Sequence, residues 1–379
     1  MNGYTSLLYW IKGRSLQTYK ISVIFAFLVW AVWLFYTFPY SYQVLAEGWI
    51  ISVTMVFGSL VAGATSEGGG AIAFPVFTKL LHIAPHDAKV FSLAIQSVGM
   101  VAASLFIIMA RIQIIWPVIV WTSIGGFVGL WLGFLLSYWM PPDFTRMLFT
   151  VLAVSLGITL TQLGGHASCA SMPVFKSLER HIFLGVGIFG GCVSGLVGSG
   201  VDMLCFSVLV LLFRVSDSLA TPTSVVLMAI HSIMGVLMQI FWFGGINERV
   251  MGYWLAAVPV VVIGAPLGAF LCSRLYDSHI RYGLITLIFI ELVSSLWVLE
   301  FERPLIIFSS VLVLVFSSVM IFGTTFFGLG RPESALSPSV WAVDVELIMY
   351  IASCVFLSKS YKNAFRVFLT LIVLFPFLW

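Results

Sequence analysis

The sequence predicts an all-α polytopic membrane protein. It is built as two inverted repeats, each a broken, re-entrant segment plus about three helices. One extra segment precedes the repeats and about three follow them. Three observations carry this prediction. The 379 residues are 61% hydrophobic and only 9% charged, where a soluble chain carries about 25% charged residues. Several runs reach the roughly 20 apolar residues that cross a bilayer. Two of these runs are broken at corresponding places by glycines and a carboxylate. Long apolar runs, in place of short alternating ones, exclude a membrane barrel.

Composition removes other classes. The net charge of +3 is small and scattered, with no basic block for nucleic acid. Cys169, Cys192, Cys205, Cys272 and Cys354 form no CxxC pair and no metal-ligand spacing. No phosphate-binding GxxxxGK[ST], no HExxH and no triad spacing occurs. His82, His86 and Asp87 sit beside a turn, where solvated polar groups belong. The expectation is no metal, no cofactor and no enzymatic activity.

The elements follow in order. Residues 1–47 are a basic, aromatic lead-in and a first helix, Ile21 to Phe38, ended by Pro39. Lys12, Arg14 and Lys20 precede that helix, which reads as retained, without a cleavage site. Residues 48–165 are the first repeat: a broken segment, Gly48 to Leu81, then helices Ala88 to Met109, Ile114 to Trp139 and Phe144 to Leu163. Residues 166–181 are a polar connector. Residues 182–300 are the second repeat: a broken segment, Ile182 to Phe213, then helices Leu219 to Phe243, Val250 to Cys272 and His279 to Leu299. Residues 301–379 supply three further apolar segments, Pro304 to Gly328, Val340 to Leu357 and Ala364 to Trp379.

Arithmetic supports the duplication. Gly63 matches Gly195 (195 − 63 = 132), and the same offset pairs Gly68 with Gly200, Phe74 with Phe206 and Ser92 with Ser224. Further on, Ile124-Gly125-Gly126 matches Ile263-Gly264-Ala265 (264 − 125 = 139), which predicts a gain of seven residues (139 − 132 = 7) near Phe243-Gly244-Gly245. Arg146 then matches Arg281 (281 − 146 = 135). The four-residue spacing of small residues in the third helices allows close helix packing in lipid.

A broken helix in a membrane points to a site. In hydrocarbon every backbone N–H and C=O needs a partner, so a break survives only inside protein or beside water. Transporters place such breaks in corresponding positions of two repeats. A half-helix starting after a break presents free N–H groups, a natural anion site. The candidate substrate-binding residues are therefore Thr65, Ser66, Glu67, Gly68, Gly69 and Gly70 at the first break. At the second they are Gly198, Ser199, Gly200 and Asp202. On the helices that follow, Gln96, Ser224 and His231 are polar enough to join them. A membrane carboxylate needs a partner, a proton or water. Glu67 and Asp202 are thus either caps of helix ends or carriers of a coupled proton, and both readings stay open.

Gly58, Gly63, Ser66-Glu67-Gly68-Gly69-Gly70 and Pro75, echoed by Gly195, Gly198-Ser199-Gly200 and Asp202, form a pattern that resembles the TauE/SafE sulfite exporter family. The resemblance covers roughly residues 48–300. It implies a transporter of small sulfur-containing anions, such as sulfite or sulfonates such as sulfoacetate, without an ATP-binding subunit. The second half departs from the pattern at Val201, Asp202 and Ser207, so the two breaks are chemically unequal.

The expected function is a secondary transporter with alternating access and optional proton coupling. Transport of small carboxylates and an anion channel are the alternatives. The expected setting is multi-pass in a bacterial inner membrane. The partners are a small anion and lipid, with no nucleic acid and with a homodimer left open. An odd number of crossings per repeat inverts the second half, and Lys20, Arg111, Lys176, Arg180, Arg214, Arg274 and Arg281 then share one side, as the positive-inside rule requires. Lys359, Lys362 and Arg366 are a misfit that lands on the other side unless the last segment does not cross.

Overall fold

The computed structural model describes residues 17–65, 76–81, 83–163, 177–298 and 302–312. Glu67 and its neighbours Ser66, Gly68, Gly69 and Gly70, and the predicted segments Val340 to Leu357 and Ala364 to Trp379, lie outside the described residues. Among the described residues the elements are helices: α1 Gln17–Thr37, α2 Ser41–Glu47, α3 Trp49–Ala64, α4 Pro85–Met109, α5 Trp116–Leu136, α6 Pro142–Leu163, α7 Ser177–Val197, α8 Val201–Ser207, α9 Asp217–Trp242, α10 Glu248–Cys272 and α11 Asp277–Val298. A short helix, Arg303–Leu312, follows them. Two wide-turn π-helical segments, Val76–Leu80 and Val208–Leu212, sit at matching places after the two breaks (208 − 76 = 132).

Among the described residues, six helices are long and apolar enough to cross a membrane: Lys20–Thr37, Pro85–Met109, Trp116–Leu136, Ser177–Val197, Asp217–Trp242 and Glu248–Cys272. The 22-residue helices α6 and α11 have the length but fall outside that set. They pack against each other. Glu291 is buried in their seam, where its Oε1 accepts from Thr150 Oγ1 at 2.9 Å and Ser295 Oγ at 3.2 Å.

Two boundaries differ from expectation. The expected connector through residue 181 is already helical from Ser177, where Glu179 in the first turn suits the positive end of the helix dipole. The first broken segment does not simply begin at Gly48. A short helix, α2, precedes it and meets α3 at a 78° bend. Gly48 at that corner lies against Ala256, leaving no room for a side chain.

The packing is reciprocal: α5, the third helix of the first half, lies along α7, and α10, its counterpart in the second half, lies along α3. Both pairs run parallel, and both close to backbone contact at small residues. A Cβ placed at Gly125, Gly129 or Gly133 would strike the carbonyl oxygens of Leu184, Ile188 and Cys192. In the other pair, Gly268 faces the Leu60 carbonyl and Gly63 faces the Ala265 carbonyl.

These contacts correct the register. Gly195 faces the Leu130 carbonyl as Gly63 faces that of Ala265, which pairs Leu130 with Ala265 (265 − 130 = 135). Gly133 on Cys192 corresponds to Gly268 on Leu60 (268 − 133 = 135). Under the predicted duplication these contacts align the third helices at 135 and not at 139, and the gain is three residues (135 − 132 = 3), in agreement with Arg146 and Arg281. The error is one helical turn (139 − 135 = 4), about 3.6 residues. Glycines repeating every fourth position match as well after such a slip.

Hydrogen bonds fix which ends meet. Asn247 caps α10, accepting from Val250 N–H at 2.8 Å, and its Nδ2 donates to Asp87 Oδ1 at 2.8 Å. The starts of α4 and α10 therefore share one face of the bundle, here the first face. The Ile115 N–H donates to Thr223 Oγ1 at 3.1 Å, which puts the end of α4 and the start of α9 at the opposite, second face. Trp33 and Trp30 of α1 donate to Leu255 and Pro259 carbonyls on α10, at 2.7 and 3.0 Å.

The glycine seam makes a prediction. Gly129→Ala forces a methyl onto the Ile188 carbonyl and should destabilise the protein by about 1–3 kcal/mol. Gly185→Ala, where nothing lies within 4 Å, should leave it unchanged. Thermal unfolding in detergent compares the two.

Candidate functional site

The second break is fully described. α7 ends at Val197, and the chain turns through Gly198 at φ +93° and Gly200 at φ +142° before α8 begins. Side chains other than glycine rarely adopt such angles. A Cβ at Gly198 would also strike the Lys89 carbonyl and Ser92, and one at Gly200 would strike Val193.

Side chains satisfy the backbone that the turn exposes. Gln96 Nε2 donates to the Gly198 carbonyl at 3.0 Å, and Ser92 Oγ donates to the same oxygen at 3.2 Å. Gln96 Nε2 also reaches the Ser92 carbonyl at 2.9 Å. The Gly200 N–H donates to Asp202 Oδ1 at 2.9 Å, and the Val201 N–H donates to Ser194 Oγ at 3.0 Å. The N–H groups expected to face an anion at this end are thus engaged by the protein's own oxygens. The physical reason is burial: Ser199, Asp202 and Ser194 are nearly inaccessible, and a buried N–H without an acceptor is costly.

Four buried polar atoms near this turn have no hydrogen-bond partner: Asp202 Oδ2, Ser199 Oγ, Gln96 Oε1 and His231 Nε2. The His231 Nδ1 lies 3.0 Å from the Leu227 carbonyl. A carbonyl only accepts, so Nδ1 carries the hydrogen and Nε2 is bare in the neutral ring. His231 Nε2 rests on Gly126, where a Cβ would collide with it. One turn earlier on α5, Thr122 faces the thiol of Cys205, itself within electrostatic reach of Asp202.

The remaining predicted residues are elsewhere or local. Thr65 closes α3, its Oγ1 donating to the Val61 carbonyl at 2.9 Å. Ser224 Oγ turns back to the Thr221 carbonyl of its own helix at 2.8 Å. Ser66, Glu67, Gly68, Gly69 and Gly70 lie outside the described residues.

A cavity of about 400 Å³ opens at the second face, beside the end of α3. Gly63, Ile107, Arg111, Gln113, Thr221 and Ser273 contribute to its wall. Arg111 is exposed and sits at φ +51°. The Thr221 hydroxyl is buried and lacks a partner.

Sequence reasoning missed two charged residues. Lys89 is 0% exposed. It follows Pro85-His86-Asp87 and so reads as a solvated helix start, and no local signal marks its burial. Glu291 does carry a signal in the sequence, as a lone carboxylate in the apolar run of α11.

A family model described as "Sulfite exporter TauE/SafE" matches residues 6–160 and 50–295. No curated protein and no solved structure matches the chain.

The clamp on the second break is testable. Gln96→Leu strands the Gly198 carbonyl with one weaker donor and should cost about 1–3 kcal/mol of stability. Ser224→Ala, which removes only a bond within one helix, should cost less than half as much. Denaturation of the purified protein measures both.

Proposed function

The chain belongs to the TauE/SafE sulfite exporter family, and from that premise we propose that it is a secondary transporter of sulfite or a related small sulfur-containing anion. The observation that carries this reading is the inequality of the two ends. A cavity with Arg111 in its wall reaches the end of α3 at the second face, while the turn at Gly198–Gly200 is buried. Open on one side and sealed on the other is what one state of an alternating-access cycle requires.

The helix directions support two inverted, re-entrant segments. α7 runs parallel to α5, toward the first face, and α9 starts again at the second. The chain between them returns to the side it came from. α3 runs parallel to α10, toward the second face, and α4 starts again at the first. Chain returns to opposite faces in this way are what two inverted re-entrant segments call for. Lys20, Arg111, Arg180, Arg214, Arg274 and Arg281 fall on the second face under this arrangement. Basic residues accumulate on the cytoplasmic side of membrane proteins, so the cavity faces the cytoplasm of a bacterial cell.

In this reading Arg111 draws the anion into the cavity. Its planar guanidinium suits an oxyanion by forming paired hydrogen bonds. Glu67 and the other predicted residues of the first break are the remaining candidates for contacts to the anion. Asp202 has a different role, because its Oδ1 caps the second turn. Its Oδ2 is the atom open to a proton, so Asp202 carries the coupled proton, with His231 across Gly126 as the next base on the path.

Proteoliposomes with an imposed pH gradient test the proposal. The wild-type protein should carry labelled sulfite in a saturable way. Arg111→Gln should raise the KM measured at the cavity face about tenfold, the loss expected for one charge-assisted bond. Asp202→Asn should abolish the response of flux to the pH gradient. A retained response assigns Asp202 to capping alone.

A further inference from the structure

The open cavity has a counterpart at the first face, and there the space is filled. The corrected register places Lys89 opposite Thr221 (221 − 89 = 132), Phe134 opposite Ala269 (269 − 134 = 135) and Ser137 opposite Cys272 (272 − 137 = 135). Thr221, Ala269 and Cys272 all line the cavity. Their counterparts touch one another: Lys89 Nζ donates to Ser137 Oγ at 2.9 Å and lies 4.5 Å from the centre of the Phe134 ring.

Aromatic rings close this second position. Phe243 stacks on Phe134 with ring centres 4.8 Å apart and on Tyr138 at 6.4 Å. Trp131 meets Phe243 edge-on at 5.4 Å. Phe243 opens the connection Phe243-Gly244-Gly245, which stands where the first half has the Arg111 connection at the cavity mouth. Gln239 secures it from α9, with Nε2 donating to the Phe243 and Gly245 carbonyls at 2.9 and 2.7 Å. Gly244 and Gly245 have φ of +89° and +80°, and nothing stands within 4 Å of a side chain built on either. The two glycines are thus unpacked, so moving Phe243 breaks its ring contacts and the Gln239 bonds but meets no obstacle at the glycines.

Beneath the rings sits an ammonium with unused capacity. Lys89 has three donors. Ser137 takes one and the Phe134 face offers a cation–π contact. No carboxylate pairs with it among the described residues. A buried cation without a counter-charge is costly, and the C-terminal end of α5, where Ser137 sits, only partly offsets the cost. Its backbone also reaches the second break: the Lys89 carbonyl and Ser92 are the atoms that abut Gly198. A motion of that turn moves Lys89 with it.

We propose that Lys89 is an anion-binding group of the state open to the first face, and that Phe243 is the plug that seals it in the state seen here. The proposal rests on the reading of the chain as a transporter with two related halves. Residues that line a cavity in one half map onto residues that line it in the other half when the two halves exchange conformations. The ligand class is a small oxyanion, held by the Lys89 ammonium and the Ser137 hydroxyl once Phe243 has swung away. The two faces then present different cations, Arg111 at one and Lys89 at the other.

Two measurements on the full chain in proteoliposomes test this. The first is the KM for labelled sulfite at each face. Lys89→Gln should raise it about tenfold at the first face and leave it nearly unchanged at the cavity face, and Lys89→Arg should restore it. Equal changes at both faces, or none, overturn the binding role. The second needs no transport. Ser137→Cys is treated with a membrane-impermeant maleimide from the first face, and the site of labelling is located by peptide mass. Labelling should be slow, and at least about tenfold faster when Phe243→Ala is added, as expected if the plug contributes one or more factors of ten to closure. Labelling that is unchanged by Phe243→Ala overturns the plug. A protein that labels as expected but carries no sulfite overturns the anion reading and leaves the gate standing.

Discussion

The demand of hydrocarbon for paired backbone groups governs this structure. A chain that stops being helical inside a membrane exposes carbonyl and N–H groups that lipid cannot satisfy. At Gly198–Gly200 those groups are met by Gln96 and Ser92 from α4, by Ser194 from α7 and by Asp202 from α8. The turn therefore depends on the helix beside it, and a shift of α4 against α7 cannot occur without altering the turn. This coupling gives a local break in one helix consequences for the whole bundle.

The glycine seams divide the bundle into units. Where α5 meets α7 and α10 meets α3, backbone touches backbone, and contacts of this kind have no slack to slide through. α7 is consequently fastened to α5, and α3 to α10. A conformational change in such a bundle would move α7 with α5 and α3 with α10, with the change concentrated between the α4 and α9 neighbourhoods. The 400 Å³ cavity and the ring cluster around Phe243 lie at the two ends of that boundary.

Charge is distributed along the same boundary. Arg111 is exposed in the cavity wall, and Lys89 is sealed beneath aromatic rings at the other end. Asp202 and His231 occupy the interior between them, each with one bare atom. An anion crossing the protein would meet a cation near each face and titratable groups in the middle. Glu291, held by Thr150 and Ser295, lies away from this line, in the seam between α6 and α11.

Apolar run length and glycine punctuation determined a good deal by themselves. They located the helices from α4 to α11 to within a few residues and the break at Gly198–Gly200, because a bilayer sets helix length and glycine turns sharply where other residues do not. The register of the third helices was not legible, since glycines spaced every four residues match themselves after a one-turn slip. Only the contacts between Gly63 and Ala265 and between Gly195 and Leu130 resolved it. The sequence named Gln96 and Asp202 as polar residues beside a break. It could not show that they complete the turn's own hydrogen bonds, because that depends on which helix lies alongside. Lys89 was invisible for the same reason: a lysine at a helix start reads as solvated until tertiary packing places Phe134, Ser137 and Phe243 over it.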